Sequence, residues 1–169
     1  CKHRNDSGMG KVPCGGDEMR VLGIDPGLSG AHVLLENGVP IEWGVMPVMV
    51  EGTSKRINGA SLASLWRFAK IDIAFMEQVG AMPGQGVTSM FSFGHSAGVV
   101  RGVLGALEIP TRLVTPQAWK KHVNLLNKDK DAARSMAIQF WPEWRELDKK
   151  GRGQALADAA LIALYATAK

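Results

Sequence analysis

Three carboxylates stand where a charge is costly to leave alone. Asp25 ends an apolar run, Val21-Leu22-Gly23-Ile24, and is followed at once by Pro26 and Gly27. Glu77 ends a second run of the same kind, Ile73-Ala74-Phe75-Met76. Asp158 lies among small and apolar residues, with Ala155-Leu156-Ala157 before it and Ala159-Ala160-Leu161-Ile162 after it. An ionised acid at the end of a buried strand or on an apolar helix face needs a partner. Where several converge, their oxygens suit a hard divalent cation, which can acidify a water or polarise a phosphate. For Asp25 alone an equal alternative stands, since Asp-Pro-Gly is a favourable turn that the Asp side chain can cap. For Asp158 the alternative is a surface acid on a polar face, which its apolar neighbours argue against.

The elements that must position these acids can be read from the pattern around them. The chain has 169 residues, 46% hydrophobic and 21% charged, which is enough for one domain with a full core. No apolar run reaches about 18 residues, so no membrane span is expected. The formal charge of +4 fits a polyanionic partner. Residues 1–18 are Gly-rich, polar and without period, and read as a disordered arm, tag remnant or upstream extension, with the ordered domain at 19–169. That arm holds both cysteines, Cys1 and Cys14, beside His3. Their spacing matches no zinc motif, so they read as free thiols in a reducing compartment.

Strands are predicted at about 20–25, 30–36 and 40–48, with Asn37-Gly38 as a hairpin turn between the second and third. A polar loop follows over 51–58 with Lys55 and Arg56 at its tip, then a helix over 59–70. A strand over 71–79, a Gly- and Pro-rich loop to Gly86 and a long helix to Leu107 come next. Gly94, Gly98, Gly102 and Gly105 are expected to let that helix pack closely. A strand at 109–114, helices at 117–126 and 129–140, and a terminal helix at 154–168 complete an α/β domain with a mixed five-stranded sheet flanked by helices. The five tryptophans read as packing residues, with Trp144, just past a helix stop, as the exposed one. His95 reads as structural on the long helix, or as a proton-transfer group if it lies near the acids.

The ordered set of motifs resembles the RuvC family of Holliday-junction resolvases, in particular its phage and organelle branch. The residues that carry the resemblance are Gly23-Ile24-Asp25-Pro26-Gly27-Leu28-Ser29-Gly30, Met76-Glu77-Gln78-Val79, Met82-Pro83-Gly84-Gln85-Gly86 and Phe93-Gly94. Pro116 with Trp119-Lys120, Lys130-Asp131 with Arg134, Phe140 and Pro142, and Ala157-Asp158-Ala159 extend it over essentially all of 19–166. The resemblance implies a ribonuclease-H-like fold and a homodimer that nicks four-way DNA junctions symmetrically in the cytoplasm of a bacterial or phage-infected cell. It implies two Mg2+ ions, with Mn2+ as a substitute, held by Asp25, Glu77 and Asp158, Asp25 bridging both. One ion would help make hydroxide and the other stabilise the leaving 3′-oxygen, giving 5′-phosphate and 3′-hydroxyl ends.

The family also places basic residues near the scissile phosphate and the DNA backbone. Lys120 would be catalytic, and Lys120, Lys121, Lys128, Lys130 and Arg134 would contact phosphates; their alternative is a solvated helix face paired with Asp129 and Asp131. In bacterial members an aromatic wedge stands three residues after the glutamate, where this chain has Gly80. Met82, Gln85 or Phe91 would take over the contact with the junction centre, unless Met82-Pro83 only packs the loop and Phe91 and Phe93 belong to the core.

The pattern departs at one point. The family's fourth acid lies three or about five residues before the last Asp, where this chain has Ala155 and Gly153. Either Asp148 folds back to replace it, or the second metal is weakly held, or the chain is an inactive junction-binding protein. A nuclease acting on RNA–DNA hybrids would share the acids. An actin-like nucleotide-binding protein would share Gly23-Ile24-Asp25, but needs a second half-domain for which the chain is too short.

Overall fold

The computed structural model describes residues 19–78, 80, 84, 86–129 and 131–167. Residues 1–18 and the site candidates Met82, Gln85 and Lys130 lie outside these. The sheet runs in the order β3-β2-β1-β6-β7, with β1 Arg20–Ile24, β2 Ala31–Glu36, β3 Val39–Val45, β6 Ile73–Glu77 and β7 Thr111–Val114. The first three strands are antiparallel neighbours, and β1, β6 and β7 run parallel, so the expected mixed five-stranded sheet is present.

Both faces of this sheet are covered, which is why β1 and β2 read as near-continuous apolar runs. On one face Val21, Val33, Leu35 and Phe75 pack beneath α5 Arg152–Thr167, with α3 Pro116–His122 and α4 Ala132–Phe140 beside it. On the other, Leu22, Ile24, Leu34 and Met76 meet α1 Gly59–Trp66 and α2 Val87–Ala106. The β2–β3 turn is the one expected: Asn37 and Gly38 take φ of 52° and 79°, the left-handed pair of a tight hairpin. Pro40 is tolerated because β3 is an edge strand.

Three expectations are corrected. The segment 51–58 is no open loop: β4 Val48–Glu51 and β5 Ser54–Ile57 form their own hairpin, so Lys55 and Arg56 lie in a strand. Gly52, at φ +59°, supplies the left-handed residue that closes it. Within the described residues of the chain the glycines of α2 mediate no packing, since a Cβ at Gly94, Gly98, Gly102 or Gly105 would meet nothing within 4 Å. Trp144 is buried, not exposed; the chain after α4 turns back through a 3-10 turn, Arg145–Asp148, and stacks its ring edgewise on Trp43 and Trp141.

β2 also carries a buried histidine. His32 is 3% exposed, with Trp66 edge-on at 5.7 Å, and its Nδ1 accepts the Trp66 indole N–H at 3.5 Å. Burial disfavours its cation and lowers its pKa from 6.5 to about 4. Because the unfolded chain takes up the proton first, stability is full above pH 6.5 and is lost as pH falls toward 4. Urea denaturation across that range should show a step that a His32→Phe chain lacks, about 2 kcal/mol at pH 5.

Candidate metal centre

Sheet register places the first two acids side by side. Ile24 pairs with Met76 across the parallel β1–β6 ladder, so Asp25 and Glu77 leave adjacent strands at the same level. Neighbouring strands lie about 4.8 Å apart, and a carboxylate on each has no room to avoid the other. The third acid arrives on α5. Gly23 has no side chain, and the helix comes down until the Ala159 carbonyl and the Ala163 amide occupy the place a Cβ would take. Asp158 precedes Ala159 and is thereby brought to the end of β1.

Each acid is held differently. Asp25 Oδ1 accepts the Gly27 N–H at 3.2 Å, so the turn-capping role is present and its second oxygen is left for another partner. Glu77 Oε1 accepts the Trp119 indole N–H at 2.8 Å. Trp119 is buried as expected of a packing residue, yet its one polar atom anchors an acid. Asp158 Oδ1 accepts from Gln154 Nε2, one helical turn earlier, at 3.1 Å. Neither the Trp119 nor the Gln154 contact was anticipated. The signals were there: a Trp directly before Lys120, and a Gln four residues before an acid on a helix.

Electrostatics binds the three into one group. Burial raises the pKa of Asp25, Glu77 and Asp158, Asp25's charge raises Glu77 further, and both raise Asp158, which reaches about 7. Lys120 is the cation that counters this, favouring the charged forms of Glu77 and Asp158. Its ammonium also lies 5.3 Å from the centre of the Trp119 ring. Buried acids that repel one another fit a hard cation with oxygen ligands. Among the described residues no three acidic, imidazole or thiol side chains are drawn together as a ready-made cage; the fit lies in donor chemistry and in the unmet charge.

A raised acid pKa opposes folding at neutral pH. The penalty is full above pH 7, where the folded carboxyl must ionise, and vanishes below 3.8, where both states hold the proton. Asp158→Asn should therefore raise the melting temperature of the metal-free protein at pH 8. Added Mg2+ should stabilise the parent more than the variant, and a thermal melt with and without the ion checks both.

The basic residues divide. Lys120 and Lys128 line a cleft of about 350 Å³ with Asn127, Asp129, Gln154 and Asp158. Arg134 and Lys150 line an adjoining cleft of about 290 Å³ that again includes Gln154. Lys121 is exposed on α3 outside both. Among the described residues none of Lys120, Lys121, Lys128 or Arg134 forms an ion pair with Asp129 or Asp131; Arg134 donates to the Leu147 carbonyl at 3.4 Å. Phe91 is 67% exposed rather than core. His95 lies on α2 against the Phe91 ring.

The missing acid is explained by packing. Ala155 is buried in the core, and a Cβ at Gly153 would sit 2.5 Å from the Leu147 carbonyl oxygen. Asp148 does not replace it: its carboxylate is paired with Arg145 at 3.5 Å and is not among the charges that act on Asp158.

No family model matches the chain, and no curated protein matches it. Solved structures do. A RuvC from T. thermophilus in complex with Holliday junction substrate superposes with a TM-score of 0.63 at 17% identity, over 87% of this chain and 91% of that one. A second Thermus thermophilus RuvC structure gives 0.55 at 19%, over 87% and 92%. The chain thus has the RuvC-like, ribonuclease-H-like fold. No helix of the described residues is long and apolar enough to cross a membrane.

Proposed function

We propose that this chain is a metal-dependent, structure-selective DNA endonuclease that resolves four-way junctions by symmetric incision, leaving 5′-phosphate and 3′-hydroxyl ends. The observation that carries this is the register of Asp25 against Glu77 on adjacent strands, with Asp158 brought to the same end by the Gly23 contact. Two divalent ions, Mg2+ or Mn2+, would supply an activated water and charge stabilisation of the leaving 3′-oxygen. The chain's own groups do the rest. Asp25, Glu77 and Asp158 hold the ions, while Gly27 and Trp119 fix one oxygen of Asp25 and of Glu77. Lys120 meets the phosphate at the centre, and Lys128 and Arg134 extend the positive charge along the clefts that adjoin it. Contacts of this kind give affinity and salt dependence. Exposed Phe91 is available to the junction centre.

The resemblance to a RuvC solved with a Holliday junction supports the substrate. A homodimer supplies the second, symmetric nick. The bare stripe of Gly94, Gly98 and Gly102 along α2 is a surface on which a second copy can lie close. A second reading, junction binding without cleavage, is favoured by one observation: α5 carries no fourth acid, with Ala155 buried and Gly153 pressed on Leu147.

The test is incubation of an end-labelled four-way junction with Mg2+, beside a gel shift in Ca2+. Paired nicks at symmetric positions establish the resolvase. A shifted band without nicks favours the second reading. Neither, or cleavage of an RNA–DNA hybrid alone, overturns both.

A further inference from the structure

We infer that Gln154 is the fourth oxygen donor of the metal centre, a neutral amide standing in for an acid. The inference deepens the endonuclease reading and rests on it. Gln154 and Asp158 are four apart on α5 and share a face, and both line the cleft that holds Lys120. The Gln154 amide nitrogen is used, donating to Asp158 at 3.1 Å. Its oxygen is not: Gln154 Oε1 is buried and no donor reaches it.

A buried acceptor without a donor is unfavourable, and native proteins keep few of them. Beside three acids that repel one another, the group that would satisfy this oxygen is a cation. Amide carbonyls are ordinary ligands of hard divalent ions. The neighbouring positions cannot serve, since Ala155 points into the core and Gly153 lies under the Leu147 carbonyl. Position 154 is the place on this turn of α5 whose side chain both lines the cleft and carries an oxygen without a donor.

The centre then presents three negative charges rather than four. It holds one ion firmly and a second one less firmly, with Gln154 and Asp158 on the weaker side. Changing Gln154 should move the second affinity and leave the first.

The experiment is titration of the DNA-free protein with Mn2+, followed by electron paramagnetic resonance. The parent should bind two ions with separated affinities. Gln154→Leu should weaken the second about tenfold or more, and Gln154→Glu should tighten it by a similar factor. A residue that merely ordered Asp158 would not give tightening with Glu, which repels that carboxylate. Equal Mn2+ isotherms for parent, Gln154→Leu and Gln154→Glu overturn the inference. If Gln154→Leu does not fold, the Gln154→Glu isotherm decides alone, and an unchanged second affinity is fatal. Asp25→Asn separates the two levels. If it binds Mn2+ as the parent does, the metal centre itself is wrong; if it loses Mn2+ while the position 154 variants behave as parent, only the role of Gln154 is wrong.

Discussion

Asp25→Asn should slow four-way junction nicking by about 10³-fold or more, equivalent to ~4 kcal/mol of transition-state stabilisation, while junction affinity holds or rises. The change removes one oxygen's charge and almost no volume. The amide oxygen of Asn can still accept from the Gly27 N–H, so the turn after β1 is kept. What is lost is an acid whose field acts on both others. Without it Glu77 and Asp158 ionise more readily, and less negative charge faces an approaching phosphate. That is why binding should survive. Single-turnover cleavage and a gel shift on the same preparation read the two effects apart. A variant that nicks at the parental rate removes Asp25 from the chemistry.

Gly23→Val should destabilise the fold by about 3 kcal/mol or more, the upper end of what overpacking usually costs. An ideal Cβ at this position stands 2.0 Å from the Ala159 carbonyl oxygen, 2.6 Å from the Ala163 nitrogen and 2.8 Å from the Ala163 Cβ. Two of those atoms are backbone, so no rotamer change relieves the contact. The helix must lift from the sheet, and with it a buried face built from Leu156, Ala159, Ala160 and Ala163. The same displacement moves Asp158 away from Asp25. Urea unfolding should show the loss, and any folded remainder should bind Mn2+ more weakly. Gly94→Ala on the open face of α2 is the contrast: nothing lies within 4 Å of its Cβ, and the monomer fold gains helix propensity.

Much of this was legible in the chain. β1, β2 and β6 announce themselves as apolar runs because both sheet faces are covered, and the acids stand out because each closes or interrupts such a run. The Asn37-Gly38 turn was legible because only a few residue pairs take that geometry. Other features were not. The β4–β5 hairpin is short, its Val48-Met49-Val50 runs on from the apolar segment before it, and Lys55 and Arg56 do not alternate with apolar residues as a half-buried strand would. The role of Trp119 was hidden because a tryptophan satisfies a packing reading completely, and its N–H partner is 42 residues away in sequence. The glycines of α2 were misread because a helix rich in glycine looks the same whether it faces a neighbour or open space. Gln154 was passed over since an amide in a helix carries no charge to account for, and only its stranded oxygen singles it out.

The position of α5 in the chain has a consequence for biosynthesis. Its residues, Arg152–Thr167, are made after every other described element, and they pack against β1 and β2, made among the first. While the ribosome is still short of them, the nascent chain holds Asp25 and Glu77 but neither Asp158 nor Gln154. The sheet then also lacks the cover over one whole face. Folding of that face and assembly of the proposed metal centre become a single late event, so an unfinished chain lacks two of the residues assigned to that centre.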